Sequence, residues 1–504
     1  MKKTSVSVIV SILAIVLMMG TALAAPSDLP GSGWWSGETI QNVGSDTAQI
    51  DITAYDSASS NTYSNTDTIA SGANKTYLPN SFSGMPAGFQ GSAVVSSNSD
   101  IRAIVNVTNR YVTVGSDTYG DPNTPSPAAG QYQGINSPDT TLVFPLIKNN
   151  SYSKTTSLYI QNAGSADATA QVVFYMATGT FTYTTPTIAP GAMAVVNPSN
   201  APGMTSGNTT KGSAVVTSAQ PLAGTSLEYI QGESSATVVQ ATRGFTPADY
   251  DTKLYAPTNK NNRFGRFTGL QVQNVSSGSI DVTVDYVGVG GACVGQTFSD
   301  STSGLAVGAS HTFPTSVLAD NCNASATVTG TGDIVGIVNE AYMSSYLNTH
   351  PGQAQEATVY YCSPAGKATD FISLPLYKEN AYSKGTGLSI QNISSSDAHV
   401  TLTFANSVGT FTTQQQTIAS GAAMVFLDVR NKPASFWNGT AMTASLLGCQ
   451  NNNTGCGGNG NFAVLVNSDQ PVVAIANEST YPFTNPNINQ DKSNYEGFNL
   501  SALP

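Results

Sequence analysis

Apolar and polar residues alternate along several stretches of the chain, and the alternation is clearest in residues 157–175 (SLYIQNAGSADATAQVVFY). After the central turn of this segment, every second residue is apolar: Ala168, Ala170, Val172 and Phe174. A period of two predicts a β-strand with one buried face. A slip of one residue would move the whole apolar set into water, so the register of this strand is well specified. The segment therefore predicts a β-hairpin.

The hairpin phrase occurs four times along the chain. Its Gln-Asn pair begins at Gln41; Gln161 follows by 120 residues, Gln273 by a further 112 and Gln391 by a further 118. An Ile-Ala-x-Gly-like turn and then two apolar strands follow each copy in the same order. A period of this length is a whole domain rather than one turn of a solenoid. We predict a signal peptide at 1–24 and four domains at 25–138, 139–250, 251–369 and 370–504, the last with a C-terminal tail.

The fold class predicted from this pattern is all-β. Seven or eight short strands with regular turns in each domain indicate antiparallel, Ig-like β-sandwiches. Four such domains placed end to end would form a rod on the order of 100 Å or more. Within the hairpin phrase we expect Gln161 to face outward. We expect the four asparagines to bond the local backbone rather than a ligand: Asn42, Asn162, Asn274 and Asn392.

The N-terminus has the pattern of a secretory signal peptide. Lys2 and Lys3 precede an apolar run at 6–19, and Ala22 and Ala24 form a small-x-small cleavage site. The run is too short for a spanning helix. We therefore expect a secreted or extracellular cell-surface protein that inserts into no membrane after cleavage.

The composition supports this location and excludes one class of partner. Charged residues make up only 10% of the chain and the formal net charge is −11. Nucleic acids need clustered Lys and Arg, so we expect no nucleic-acid partner.

Five cysteines in an oxidising compartment indicate disulfides. We expect Cys293 to pair with Cys322 and Cys449 with Cys456. The first bond would close a loop of about 30 residues and stabilise by roughly 3–4 kcal/mol. Cys362 is left over, either as a buried, idle thiol or as one half of an intermolecular bridge.

The phrase resembles a known family. Leu-x-Ile-Gln-Asn-x-Gly, then Ala-x-Val-x-Phe-Tyr and Ile-Ala-Pro-Gly, are similar to Ig-like repeats of secreted bacterial surface proteins, including cell-adhesion-related domains of the CARDB type. The resemblance implies an extracellular β-sandwich used for display, adhesion or surface layers, and it supplies no catalytic residues. The first copy departs from it, because Glu38 stands where the other copies have Leu158, Leu270 and Leu388.

Catalytic and metal-binding patterns are not found in the sequence. The three histidines fall at unrelated repeat positions, and no Gly-x-Ser-x-Gly, His-Glu-x-x-His, Walker or Cys-x-x-Cys motif occurs. We therefore expect no enzyme, no cofactor and no metal.

Two recurring sets of charged residues have competing interpretations. Asp46, Asp167 and Asp397 recur in the hairpin turn, where turn chemistry is favoured over Ca²⁺ binding because a cage needs more carboxylates. Lys148, Lys260 and Lys378 recur before the phrase, as solvated loop charges or as partners for acidic groups of the next domain.

The tryptophans are candidates for stacking on sugar rings: Trp34, Trp35 and Trp437. A packing role is favoured for the Trp34-Trp35 pair, because it lies within two or three positions of the equivalents of Tyr152, Phe264 and Tyr382.

The tail is a candidate for assembly. Phe498, Leu500, Leu503 and Pro504 would complete the first domain of another copy by strand addition. The alternatives are that the tail caps the fourth domain of its own chain or is disordered. The function expected is a structural or adhesive subunit of a surface layer, sheath or fibre, with itself or cell-envelope glycans as partner. The alternative is a carbohydrate-binding adhesin.

Overall fold

The computed structural model describes residues 8–12, 29–114, 116–123, 127–230, 238–350, 355–450, 455–480 and 492–503. Nearly all of its regular structure is strand, which confirms the all-β prediction. The one α-helix in these ranges is α1 (Ser344–Thr349), and the 3₁₀ turns are short. The four predicted domains are called here the first to fourth repeats.

The strands follow the repeats. A short strand, β1 (Val8–Ile12), precedes the first repeat, which contains β2 (Trp35–Asn42), β3 (Ala48–Asp56), β4 (Thr62–Ile69), β5 (Asn74–Tyr77), β6 (Gly91–Ser97), β7 (Ile101–Thr108), β8 (Val112–Val114), β9 (Asp117–Tyr119) and β10 (Ala129–Gln133). The second contains β11 (Asp139–Lys148), β12 (Lys154–Asn162), β13 (Ala170–Met176), β14 (Gly179–Thr184), β15 (Met193–Val196), β16 (Lys211–Ile230) and β17 (Val239–Arg243).

The third and fourth repeats continue the same series. The third contains β18 (Asp251–Asn261), β19 (Arg266–Asn274), β20 (Ile280–Gly291), β21 (Thr297–Leu305), β22 (Ser310–Pro314), β23 (Cys322–Tyr342), β24 (Ala357–Tyr361) and β25 (Ser363–Pro364). The fourth contains β26 (Thr369–Lys378), β27 (Lys384–Asn392), β28 (Ala398–Asn406), β29 (Gly409–Thr412), β30 (Gln416–Ile418), β31 (Ala423–Phe426), β32 (Asn461–Thr480), β33 (Ser493–Glu496) and β34 (Phe498–Leu500).

The strand order of the second repeat recurs in the others. One layer runs β14-β13-β16-β11 and the other β15-β12-β16-β17, all antiparallel. The long strand β16 belongs to both layers, because its first half pairs with β13 and β11 and its second half with β12 and β17. In the first repeat, β6 and β7 take the two halves of this strand. The alternating residues fill the core between the layers, where Ala170, Val172 and Phe174 are buried, each large one contributing about 1.5–3 kcal/mol.

The position of strand β1 is occupied in each of the other repeats by a strand of that repeat. Strand β1 pairs with β6 as β11 pairs with β16, β18 with β23 and β26 with β32. Residues 8–12 lie inside the predicted signal peptide, so cleavage after Ala24 would leave this place beside β6 open.

The four repeats close around a common axis. Each repeat contributes one strand to the axis, and each of these strands packs against that of the next repeat. β10 packs on β17, β17 on β24, β24 on β33, and β33 on β10. The approach is close enough that a Cβ at Gly130 would lie 2.8 Å from the Cβ of Ala241. The rod expected from tandem repeats is therefore wrong, because the outer faces of these strands are buried against one another. We call this closed arrangement the ring.

Recurring serines hold three junctions of the ring. Ser92 Oγ donates to the carbonyl of Gly191 at 2.5 Å, and the equivalent bonds join Ser213 to Gly308 at 2.6 Å and Ser325 to Gly421 at 2.9 Å. The fourth junction differs, because Ala463 takes the place of the serine opposite β28.

The junction between the fourth and first repeats uses other contacts. Ser373 Oγ donates to Gln41 Oε1 at 2.5 Å, and Asn74 Nδ2 donates to the carbonyl of Pro375 at 2.5 Å. Both bonds join strand β26 of the fourth repeat to the first repeat. The ring thus closes through a junction of different chemistry from the other three.

These junctions correct the expected role of the Gln in the hairpin phrase. Gln161 is fully buried, and Gln273 Nε2 bonds the carbonyls of Gly308 at 3.0 Å and Ala214, in the second repeat, at 3.3 Å. These side chains point away from the core of their own repeat, and the preceding repeat covers them. The prediction for the asparagines is confirmed: Asn162 Nδ2 bonds the carbonyls of Ala166 and Ile188, both at 2.8 Å, and the other three copies do the same.

Candidate functional site at the axis and the turn tips

Four residues at equivalent positions of the four repeats meet at the axis. The strands that pack around the axis, β10, β17, β24 and β33, are called here the inner strands. Each inner strand ends at one of these residues, Gln133, Arg243, Tyr361 and Glu496, which pair with corresponding residues of the neighbouring strand. Tyr361 Oη donates to Gln133 Oε1 at 2.9 Å, and Gln133 Nε2 donates to the backbone carbonyl of Glu496 at 2.7 Å. The amide of Tyr361 donates to the Glu496 carboxyl group. We call these four residues the axial cluster.

Arg243 connects the axial cluster to an ion pair. Its guanidinium lies 4.6 Å from the centre of the Tyr361 ring and binds Asp249 through two bonds of 2.7 and 2.9 Å. Lys367 of the third repeat also binds Asp249 at 2.7 Å. Burial would raise the pKa of Asp249, but Arg243 and Lys367 hold it well below its usual range. A fully paired charge of this kind fixes neighbouring elements in place.

A cavity of about 260 Å³ opens beside the axial cluster. Every repeat contributes to its wall, through Arg102, Arg243, Lys367 and Leu500 among others. Its volume is below that of typical ligand pockets, which start near ~300 Å³, and its acidic wall residue Asp249 is already bound by two cations. The arrangement joins the four repeats to one another through hydrogen bonds and the contact of Arg243 with the Tyr361 ring.

Burial changes the acidity of two carboxyl groups. It raises the pKa of Glu496 in the axial cluster to about 8. It also raises the pKa of Glu38 to about 8, from 4.5. Glu38 lies in the apolar core of the first repeat, and its Oε2 has no hydrogen-bond partner among the described residues.

We predict that the protein loses stability as the pH rises from 5 to 7. A raised folded pKa means that Glu38 and Glu496 contribute stability fully below about 4.5 and lose it as the pH approaches 8, by at most ~1.4 kcal/mol per unit for each group. Glu379, with a pKa of about 7, acts in the same direction. Thermal melts followed by tryptophan fluorescence should show the fall, and Glu38→Gln should reduce its slope. A melting temperature that rises from pH 5 to 7 would contradict the assignment.

Three groups with the opposite sign act outside this pH window. Lys492 has a pKa depressed to about 7, by burial first and then by Arg266, so its contribution changes only above pH 7. Asp249 and Glu340 have lowered pKa values, so the stability they contribute is lost only as the pH falls below about 4.

The recurring lysines are not solvated loop charges. Each binds a buried glutamate of its own repeat: Lys148 with Glu228 at 2.9 Å, Lys260 with Glu340 at 2.7 Å and Lys378 with Glu478 at 2.9 Å. A second cation flanks each glutamate, from Lys154, Arg266 and Lys384 respectively. Among its described residues the first repeat has no such triad, and Trp34 stands near the place of the second cation.

The turn between the first two strands of a repeat presents an aromatic side chain in three repeats. Tyr152 is 69% exposed and Phe264 is 68% exposed, and Tyr382 is half-buried at the same position. All three have left-handed backbone, with φ of 53°, 55° and 51°. This conformation costs a non-glycine residue about 1–2 kcal/mol. We call these the turn tips.

The tryptophans do not form the exposed aromatic surface that stacking on sugar rings requires. Trp34 and Trp437 are each only 2% exposed, and Trp437 packs edge-on against Phe404, Phe411 and Phe436. Trp35 is half-buried beside Tyr119, and its Nε1 donates to the carbonyl of Arg110 at 2.9 Å. The packing interpretation therefore fits these residues, and no indole face of Trp34 or Trp437 is open for stacking.

The cysteines lie as follows. Cys293 and Cys322 are at disulfide distance, with Cα atoms 5.3 Å apart, and so are Cys449 and Cys456, at 3.8 Å. Cys362 is a buried thiol, and burial raises its pKa. An intermolecular bridge through Cys362 would require this part of the third repeat to open.

The tail lies on the fourth repeat of its own chain, which is the alternative that the sequence left open. Strand β34 pairs with β26, placing Leu500 opposite Phe371 and Phe498 opposite Ser373. Phe498 and Leu500 are buried, Leu503 is exposed, and Pro504 lies outside the described residues.

The turn aspartates and the histidines form no common site. Asp46, Asp167 and Asp397 are single exposed carboxylates. Within the described ranges, no group of three His, Cys, Asp or Glu side chains could hold a metal ion. In the same ranges, no helix has the length and apolar character needed to cross a membrane.

Comparison with known proteins does not show a family for this chain. No family model matches the chain, so the resemblance to CARDB-type domains has no support from that source. No curated protein matches either. Among solved structures, Thermotoga maritima 1070 is similar at 18% identity over 22% of this chain and 95% of its own, with a TM-score of 0.19. A tetra-tandem repeat from the extending region of a large adhesion protein is similar at 11% identity over 97% and 99%, with a TM-score of 0.10. Neither score is high enough to carry an argument.

Proposed function

We propose that this chain is a secreted, non-catalytic structural or adhesive protein of the cell surface, built from four β-sandwich repeats that act as one closed body. A surface-layer, sheath or fibre subunit is the form this role would take. The observation that carries the proposal is the axial cluster. Its residues come from all four repeats: hydrogen bonds join Gln133, Tyr361 and Glu496, and Arg243 packs over the Tyr361 ring. Their polar groups therefore join repeats to one another.

Two further observations support an extracellular role. Two cysteine pairs at disulfide distance fit an oxidising compartment. The polarity of the chain comes from uncharged residues, since charged ones make up only 10%.

Cell fractionation tests this proposal. The protein should be found in the surface or medium fraction, with an N-terminus at Ala25, and electron microscopy of that fraction should show closed particles or an array of them. Recovery from the cytoplasm with residues 1–24 still attached would overturn the extracellular role. Electron microscopy that shows extended rods would overturn the closed body.

A truncation separates two roles for the tail. Because β34 pairs with β26 of the same chain, deleting residues 498–504 should lower the melting temperature and leave the particle mass unchanged. A full-length protein that forms larger assemblies, which the deletion returns to monomers, would instead show that the tail joins copies head to tail. Light scattering at high protein concentration distinguishes these results.

A further inference from the structure

The turn tips repeat the same strained geometry three times. In the second repeat Asn150, Tyr152 and Ser153 all have left-handed backbone, and in the fourth Asn380, Tyr382 and Ser383 do. In the third repeat the set is Asn262, Phe264 and Gly265. Costly backbone of this kind persists only where the surrounding structure holds it, and it clusters at functional sites.

Folding does not explain the aromatic residue at the tip. Tyr152 and Phe264 leave about two thirds of their surface in water, so they add little to a core. The first repeat makes the corresponding link with Gly31 and Gly33, which adopt positive φ at no steric cost, and it has Ser32 between them. The chain thus contains an unstrained version of this link, and it lacks the aromatic ring.

The tips are also held from the side. The amide of Tyr152 donates to Asn208 Oδ1 at 3.1 Å, and Ser151 Oγ donates to the Asn208 carbonyl at 2.8 Å. In the third repeat the Arg263 guanidinium covers the Phe264 ring at 4.2 Å and donates to Asn321 Oδ1 at 2.9 Å. These contacts hold the backbone at Tyr152 and the ring of Phe264, so less conformational entropy is lost there on binding.

All three tips lie at one end of the ring. Each tip leads directly into a strand whose first residue pairs with the end of a long strand: Lys154 with Ile230, Arg266 with Tyr342 and Lys384 with Thr480. These pairs lie at the start of the inner strands, whereas the axial cavity lies at their finish. The repeated packing around the axis therefore presents the tips together, opposite the cavity.

We propose that the turn tips form a binding face for a neutral polysaccharide, with Tyr152, Phe264 and Tyr382 stacking on sugar rings. The proposal rests on the extracellular role proposed above. Isolated aromatic rings bordered by Asn and Ser suit a sugar, which has an apolar ring face and hydroxyls that bond amides. A protein partner needs a contiguous buried patch of about 800 Å², which single rings on separate turns do not supply. Three weak contacts on one chain of sugars add through multivalency.

Substitution by glycine gives a test with two readouts: the affinity for polysaccharide should fall, and the melting temperature should not. Binding of the full protein to cellulose, chitin and starch is measured by pull-down and, for soluble fragments of each, by calorimetry. The triple variant Tyr152→Gly, Phe264→Gly, Tyr382→Gly should bind the preferred polysaccharide at least tenfold more weakly. Its melting temperature should not fall, because glycine relieves the left-handed strain. Val294→Gly, Val307→Gly and Leu446→Gly, at exposed apolar side chains elsewhere, serve as the control and should keep the affinity.

Two results would overturn the binding face: wild-type protein that binds none of the three polysaccharides, or a triple variant that binds as tightly as wild type. Neither result bears on the extracellular role, which is judged by fractionation. Conversely, a cytoplasmic location would remove the biological setting even if the purified protein bound sugars.

Discussion

Replacing Glu38 by leucine is expected to stabilise the first repeat by about 3 kcal/mol at pH 7. Burial raises the pKa of this carboxyl from 4.5 to about 8, so ionisation is suppressed at neutral pH at a free-energy cost of ~1.4 kcal/mol per unit. The other three repeats have leucine at this position, and Leu158, Leu270 and Leu388 are fully buried. The cavity shaped by the repeat therefore suits leucine, and the variant should melt several degrees higher.

The pH dependence of the stability gained by Glu38→Leu separates the effect of ionisation from that of apolar packing. At pH 5 the unfolded carboxyl is close to its own pKa, so the gain from Glu38→Leu should shrink to the smaller effect of apolar packing. Glu38→Gln removes the charge but leaves a buried amide, so it should gain less than leucine at pH 7. The reverse change in the second repeat, Leu158→Glu, should destabilise. Equal gains at pH 5 and pH 8 would show that ionisation is not the cause.

Replacing Glu340 by glutamine is expected to destabilise the protein by about 3–5 kcal/mol, the cost of leaving buried charges unpaired. Glu340 binds Lys260 at 2.7 Å, Arg266 at 3.4 Å and Lys492. Lys492 comes from the fourth repeat, so the substitution also weakens the junction between the third and fourth repeats. Urea denaturation measures the loss, and limited proteolysis should show earlier cleavage at that junction.

Two comparisons make the Glu340 result interpretable. The exposed pair of Lys75 and Asp67 is a control, and Asp67→Asn should cost less than about 1 kcal/mol. Burial and Arg266 already depress the pKa of Lys492 to about 7, so raising the pH to 9 should neutralise it and recover part of the lost stability. A Glu340→Gln variant as stable as wild type would mean that the triads contribute little.

The local structure was predictable because it depends on neighbours in sequence. The period of two placed Ala170, Val172 and Phe174 in a core, and the Asn of the phrase bonds its own turn in all four copies. The cysteine pairs followed from their positions within single repeats, and both are at disulfide distance.

The ring was not predictable from the same patterns. Its junctions depend on Ser92, Ser213 and Ser325, which stand among apolar strand residues and bond carbonyls about 100 residues away in sequence. A serine on a strand gives no sign of its partner. The outward-facing Gln161 was assigned to solvent because periodicity identifies the face of a sheet but not what covers it.

The sequence contains a pattern for the triads and another for the axial cluster. The triads appear as lysines followed in each case by a glutamate near the end of the long strand, Glu228, Glu340 and Glu478. The axial cluster appears in the likeness of Gln131-Tyr132-Gln133-Gly134 to Asn494-Tyr495-Glu496-Gly497. In the sequence the turn-tip residues stand out only as equivalents of the tryptophans, because exposure cannot be read from residue type.

Small-angle X-ray scattering of the purified protein from residue 25 onward tests the closure of the ring most directly. A compact body of this chain length has a radius of gyration of about 23 Å, and the closed ring predicts a value near it. Four repeats arranged end to end over on the order of 100 Å would give about 30 Å or more. A value in that higher range for a monomer would contradict the ring and, with it, the axial cluster.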